Sequence, residues 1–474
     1  MSDNLFERPV LAHIRDFARS RRVCPESTLA AVLVRANCMI PPHVTVPPIV
    51  GGRTSLNLFA ALVGPSGYGK GGSESAGRDA IEFVGATVPQ PLLELNPGSG
   101  EGLAKTFQVT GDENVVHTAL FTAPEVDTLS ALMGRQGSTL EGELRKVFAG
   151  ESLGFTNAQK HTRTHVPRLS YRAGLVVGVQ PRRAGPLLNG ADGGTPQRFV
   201  WASVLDRDMP EVAPECPGVL EVKVPPFPSR PDGGFVDLYV PDEPREAIDS
   251  HQLAMHRGDI EVDPLAGHAL LTRLKVAAAL MLLDERARMD EEDWRLAGRI
   301  MLRSDATRVA VQREMAAKAR GDNHARAWAA DERDEFASDR KLIRCKQGII
   351  RWLDRLRDGE HLARRDLSPK LKAELRPYFD AAVAELVDDG AIVVVPLDRG
   401  TGYRRFSGTA EVQPTSPAQT CAVPTLDAVP HNGRFARAMS VVHQLNSEIS
   451  ADRLDTLAPA TDTYGTSAAE SANA

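Results

Sequence analysis

The sequence predicts an α/β protein: a core built on a largely parallel sheet, then a helical subdomain, then a C-terminal winged helix. Three observations predict it. Apolar runs alternate with helical or loop stretches from about residue 45 to Val240, the composition turns helical after PDGGFVDLYVPDEP, and residues 341–407 read as two helices and a hairpin. A chain of 474 residues is too long for one compact core, so two or three domains and a tail are expected. Hydrophobic content of 42% and charged content of 25% are those of an ordinary globular chain. The net charge of −6 leaves any polyanion-binding surface to a local patch. The five cysteines (Cys24, Cys38, Cys216, Cys345, Cys421) are scattered without a CxxC pair. That excludes a sequence-spaced zinc site and a disulfide framework, and fits a reducing cytoplasm. MSDNLFERPVLAHIRDF is amphipathic and charged, and no run of about 18 apolar residues occurs, which argues against a signal peptide and a membrane span.

The elements follow in order. Residues 1–44 form a helical lead-in, LFERPVLAHIRDFARS and then PESTLAAVLVRANCMI, the second capped by Glu26 or Ser27. The core, 45–262, opens on prolines that mark an extended entry, and NLFAALVG is its first buried strand. LLEL, VHTALFTAP and AGLVVGVQ are further apolar runs of strand type. Residues 263–335 form a helical lid and linker: GHALLTRLKVAAALMLLDER, a second helix opened by acidic residues, and then ARGDNHARAWAADERDEFASDRK as charged helix or linker. The winged-helix domain, 336–408, comprises KLIRCKQGIIRWLDRLRDG, a second helix over SPKLKAELRPYFDAAVAELVDDG and the hairpin AIVVVPLDRGTGYRRFSG. Residues 409–474, rich in Ser, Thr, Ala and Pro, are expected to form a mostly disordered tail.

LVGPSGYGKGGSES carries the chemistry. Gly64, Gly69 and Lys70 have the G-x-x-x-x-G-K-[ST] spacing of a phosphate loop, while Gly71 stands where a hydroxyl holds Mg²⁺. Glycines let backbone N–H groups turn inward around phosphates at a helix N-terminus. NLFAALVG and GGSESAGRDAIEFVG supply the strand before and the helix after. Gly64, Pro65, Ser66, Gly67, Gly69, Lys70, Gly71 and Gly72 are therefore the candidate ATP cradle, with Lys70 reaching the β- and γ-phosphates. Ser73 does not replace the missing hydroxyl, because two helical residues turn it about 200° away. Water at the loop and acidic groups elsewhere are then expected to hold the metal. In VVHTALFTAPEVDTL the candidates are Glu125, favoured as water-activating or metal-side acid, and Asp127; the alternative is a capping pair for the helix that follows. Gln180, ending AGLVVGVQ, is a γ-phosphate sensor or a solvent-facing strand end. Arg198, after a glycine-rich loop, is an arginine finger for a neighbouring subunit, or a structural or DNA-contacting residue. Arg273 is a weaker candidate for reaching the phosphates from the lid.

Taken together, GPSGYGKG, FTAPEVD, VVGVQP, GTPQRFVW and LLTRLKVAAALMLLDER…EEDWRLAG resemble a family of P-loop ATPases from actinobacterial phages, plasmids and integrated elements. These are described as primase-associated or helicase-like replication proteins. The resemblance spans roughly residues 45–310. It implies a RecA/AAA+-type P-loop NTPase core that hydrolyses ATP with Mg²⁺, forms a homo-oligomer on DNA and meets other replication proteins. It also implies phosphate binding by Gly69 and Lys70, with Glu125 as strand-end acid, Gln180 as sensor and Arg198 as finger. Residues 1–45 are too short for a primase polymerase domain, so priming by this chain is not expected.

Residues 341–407 hold 14 Lys and Arg against 10 Asp and Glu, a local balance of +4. Lys370, Lys372 and Arg376 are expected on the recognition helix, and Arg399, Arg404 and Arg405 around the hairpin tip, all toward DNA. Tyr403 is hairpin core or a phosphate-side contact, and Phe406 is expected in the core. The alternative for this module is protein docking, with the charges merely solvated. For the whole chain the alternatives are a winged-helix, DNA-binding regulator or replication initiator that binds nucleotide without useful turnover, and a P-loop kinase.

Overall fold

The computed structural model describes residues 5–86, 88–89, 91–109, 115–156, 163–188, 194–259 and 268–406. The expected tail, 409–474, lies outside them. The chain divides after Arg340 into two units.

A five-stranded parallel sheet organises the first unit: β1 (Leu58–Val63), β2 (Leu93–Leu95), β3 (Thr118–Ala123), β4 (Arg172–Val179) and β5 (Phe199–Ser203), in the order β2-β3-β4-β1-β5. Every residue of β1 and β4 is buried, as apolar runs in a sheet covered on both faces require. The two-residue period splits β1 between two cores. Leu58, Ala60 and Leu62 face one, while Phe59, Ala61 and Val63 face the other.

The first core is filled by α1 (Pro9–Ser20) and α2 (Pro25–Met39). Pro9 and Pro25 each open their helix, where a missing N–H costs nothing. In α1, Leu11, Ile14 and Ala18 make a stripe, whereas α2 is buried on nearly every residue because it lies between α1, the sheet and α3 (Lys70–Ala80). The second core lies under α4 (Val126–Met133) and α5 (Leu140–Ala149). The helix α6 (Ala269–Leu283), mostly apolar apart from Thr272, Arg273 and Lys275, packs on α2.

Apolar runs located β1 to β4, but the reading differs from the structure in several places. FVWAS forms β5, a strand hidden behind a turn-rich lead-in. The helix after the phosphate-loop motif stops at Ala80, because Ile81–Val84 pairs in parallel with Leu220–Lys223. Of the two alternatives for the charged segment, helix or linker, the structure has helix, as part of α7 (Glu291–Leu353).

In the second unit a short strand β6 (Leu362–Ala363) pairs with β8 (Gly400–Arg405), which forms a hairpin with β7 (Ile392–Leu397). The single helix expected over SPKLKAELRPYFDAAVAELVDDG is broken. Ser368–Lys370 and Ala373–Tyr378 are 3₁₀ turns, and α8 covers only Phe379–Asp388. Pro377 supplies no N–H to an α-helical ladder, which ends the segment as a tight turn. Cys345, Ile349 and Leu353 at the end of α7 pack with Leu367, Phe379 and Leu386. Tyr403 joins that core, its ring 6.0 Å from Phe379, while Phe406 is 57% exposed. This reverses the expectation for Phe406, which follows the last paired residue of the hairpin.

Candidate functional site

The strand β1 leads directly into the glycine loop. Gly64 N donates to Val179 O at 3.0 Å, so the loop starts against the end of β4. A Cβ on Gly64 would lie 2.1 Å from Val204 Cγ2, so glycine is required by contact. Gly67 (φ 82°) and Gly69 (φ 84°) take the left-handed conformation and curl the chain into the first turn of α3. Lys70 opens that helix and folds back over the loop, its Nζ donating to Gly64 O (3.1 Å) and Pro65 O (2.8 Å). Burial holds its pKa below the ordinary lysine value, opposed by the Glu125 carboxylate.

Glu125 lies just beyond β3. Register places Ala123 beside Val177 and Gly178 beside Leu62, so Glu125 is level with the loop's first residues. With β4 between them, the lateral separation is about 9–10 Å, room for a terminal phosphate and one water. The narrowness there depends on Gly178, because a Cβ at that position would lie 2.1 Å from Pro124 O. Sequence reading passed over Gly178; a glycine inside an apolar strand is the signal of close backbone approach.

Two cavities flank the loop. One of about 250 Å³ is lined by Lys70, Gly71, Ser75, Thr122, Pro124 and Gly178. The other, about 770 Å³, opens beside Gly64 and Pro65 and is walled by Arg19, Glu26, Asp206 and Thr307. Gln180 directly follows Val179 at the same sheet edge, half-buried. Lys70, Glu125 and Gln180 are thus gathered at the C-terminal edge of the sheet, where open α/β sheets bind ligands.

Other residues stand apart. Asp127, in the first turn of α4, is ion-paired with Arg183, and Arg182 with Glu314. Ser73 is fully buried, its hydroxyl 2.7 Å from that of Ser27 on α2. Arg273 donates to Trp294 O at 2.8 and 3.0 Å and stacks on its ring, a packing role in place of the expected reach to phosphate.

Arg198 precedes β5 and lies beside the start of β1, a strand's length from the loop, roughly 15–20 Å. Its Nη2 is 2.8 Å from His268 Nε2, and its guanidinium lies 5.8 Å from the Phe148 ring. Burial, reinforced by the charges of Arg198 and Lys275, pushes His268 down to about 4 from 6.5. The unfolded chain therefore takes up a proton between these values that the folded chain refuses. Stability is expected to fall as pH drops from about 6.5 toward 4. Melting curves across that window should slope less in His268→Gln than in the wild type.

Lys370, Lys372 and Arg376, expected on one recognition helix, do not share one. Lys370 ends one 3₁₀ turn, with Nζ 4.7 Å from the Trp352 ring, and Lys372 precedes the next. Arg376 bonds Leu371 O and Pro369 O. Arg399 lies between β7 and β8, and Arg404 is half-buried in β8. Arg405 bonds Asp354 at 2.8 Å. The helix that follows the turns, α8, contains Asp380, Glu385 and Asp388 and no basic residue. Lys346 pairs with Glu385 and Asp389, and Arg364 with Asp380.

Compared with known proteins, the chain matches no family model and no curated protein.

Proposed function

We propose that the chain is an ATP-dependent replication protein of a mobile element, of helicase or helicase-loader type. The observation that carries this reading is the strand order. One strand, β4, separates the loop-bearing β1 from the acid-bearing β3, the spacing that a RecA-type core uses to seat a nucleotide. Gly67 and Gly69 aim backbone N–H groups at the phosphates, and Lys70 exchanges its two carbonyl partners for phosphate oxygens. The larger cavity beside Gly64 accommodates the nucleoside. Glu125 orients the attacking water, Lys70 neutralises charge developing on the γ-phosphate, and Gln180 senses its loss. For the metal, the donor set does not fit the usual pattern, since Gly71 brings no hydroxyl. In a head-to-tail oligomer the edge bearing Arg198 meets the neighbour's phosphate loop.

A second reading, a nucleotide-binding regulator whose C-terminal unit docks protein, is favoured by one observation. The order of helix, strand, helix and hairpin in that unit suits a winged helix, yet α8, the helix such a module would lay in a groove, is acidic. ATP turnover with and without single-stranded DNA separates the two. Under the first reading DNA stimulates hydrolysis, and Glu125→Gln lowers kcat by about 10²-fold or more while ATP affinity holds. Binding without DNA-stimulated turnover selects the regulator.

A further inference from the structure

We infer that nucleotide binding at this site does not depend on Mg²⁺; the inference rests on the nucleotide-binding reading above. A phosphate loop ordinarily gives the metal a hydroxyl from the residue after its lysine. Gly71 stands there, and steric demand does not explain it. Its φ lies outside the left-handed region, and a Cβ added to it meets nothing within 4 Å. The nearest hydroxyl along α3, Ser73, is turned into the protein and spent on Ser27. Ser75 stands on the same face as Gly71, but one full turn, about 5–6 Å, further along the axis.

The carboxylates are equally restricted. Pro124 precedes Glu125 at the strand end and offers no side-chain donor. Asp127 is held by Arg183, and Glu74, which faces the smaller cavity, is paired with Arg35 and Arg78. Among the described residues no three His, Cys, Asp or Glu side chains converge as a metal site. Among the described residues, that leaves Glu125 as the carboxylate whose charge acts on Lys70. By contrast, the phosphates meet the curled backbone and the Lys70 ammonium directly. The protein's grip is on the anion rather than on its metal, so removing the metal leaves that grip in place.

The test is calorimetric titration of the full chain with ATP and with ADP, in excess magnesium chloride or excess EDTA. The wild type is expected to show Kd values within about threefold of each other in the two conditions. Gly71→Ser, placed in open space, is expected to gain a preference for magnesium of about tenfold or more. A wild-type affinity lost in EDTA and restored by magnesium overturns the inference and leaves the nucleotide reading standing. Absence of binding in both conditions, equal to that of Lys70→Ala, overturns the reading and the inference with it. A melting temperature for Gly71→Ser equal to the wild type's establishes that its result reports binding rather than folding.

Discussion

Lys70→Ala is expected to weaken ATP binding by about 30- to 100-fold while leaving the fold unchanged. Two observations set that magnitude. The ammonium is held over the loop by Gly64 O and Pro65 O, where the proposed nucleotide site would place a phosphate. Hydrogen bonds to charged groups contribute about 1.5–3 kcal/mol, and each 1.4 kcal/mol is a factor of ten. Burial already disfavours the charge slightly in the free protein, so an incoming phosphate finds a cation in want of a counter-ion. Of the two carbonyls freed by the substitution, Pro65 O is exposed and Gly64 O is part-buried, and both residues line the larger cavity, where water replaces the lysine. The melting temperature should therefore stay within about 2 °C of the wild type. Calorimetry and thermal melts check the two halves of the prediction. Unchanged affinity would remove the loop from the nucleotide site.

Arg172→Met is expected to cost about 3–5 kcal/mol of stability, the largest effect among the substitutions considered. The Arg172 guanidinium is fully buried at the start of β4. It donates to Ile40 O (2.9 Å), Pro41 O (2.8 Å), Val44 O (2.8 Å) and Ser55 Oγ (2.8 Å). No carboxylate stands among these partners. Burial lowers its pKa to about 10, which keeps it charged at neutral pH. One side chain thus closes the carbonyls where α2 ends and the chain turns toward the sheet. Methionine matches its reach but removes the donor from Ile40 O and Val44 O, each costing about 1–3 kcal/mol, while Pro41 O keeps Val44 N (3.1 Å) and Ser55 Oγ keeps Asn57 N (3.2 Å). Relief from burying a charge offsets part of that loss. Denaturant unfolding measures the difference. Arg168→Met, at an exposed arginine bonded to Arg53 O, should change stability by less than about 0.5 kcal/mol. A loss below about 1 kcal/mol at Arg172 would mean that water reaches these carbonyls.

Much of the candidate site was legible because its determinants are local. Glycine at 67 and 69 is demanded by backbone conformation, and Lys70 is tied to them by spacing. Glu125 and Gln180 end apolar runs long enough to be strands. The errors share one physical origin, contacts made across the chain. Nothing near Ile81 announces its pairing with Leu220, and nothing near Arg172 distinguishes a buried cation from a solvated strand end. Lys370, Lys372 and Arg376 were read onto one helix although Pro377 stood in the sequence as a local signal against it.

By itself the sequence determined the α/β alternation, the glycine turn that opens a helix and the acid and amide that follow their strands, since each is written in neighbouring residues. Tertiary structure alone decided the strand order that brings these pieces to one edge. It also turned Ser73 inward, paired Asp127 with Arg183 and left Arg198 at the far end of the sheet. Strand order and side-chain partners depend on which surfaces pack together, and packing joins residues that the chain separates by tens to hundreds of positions.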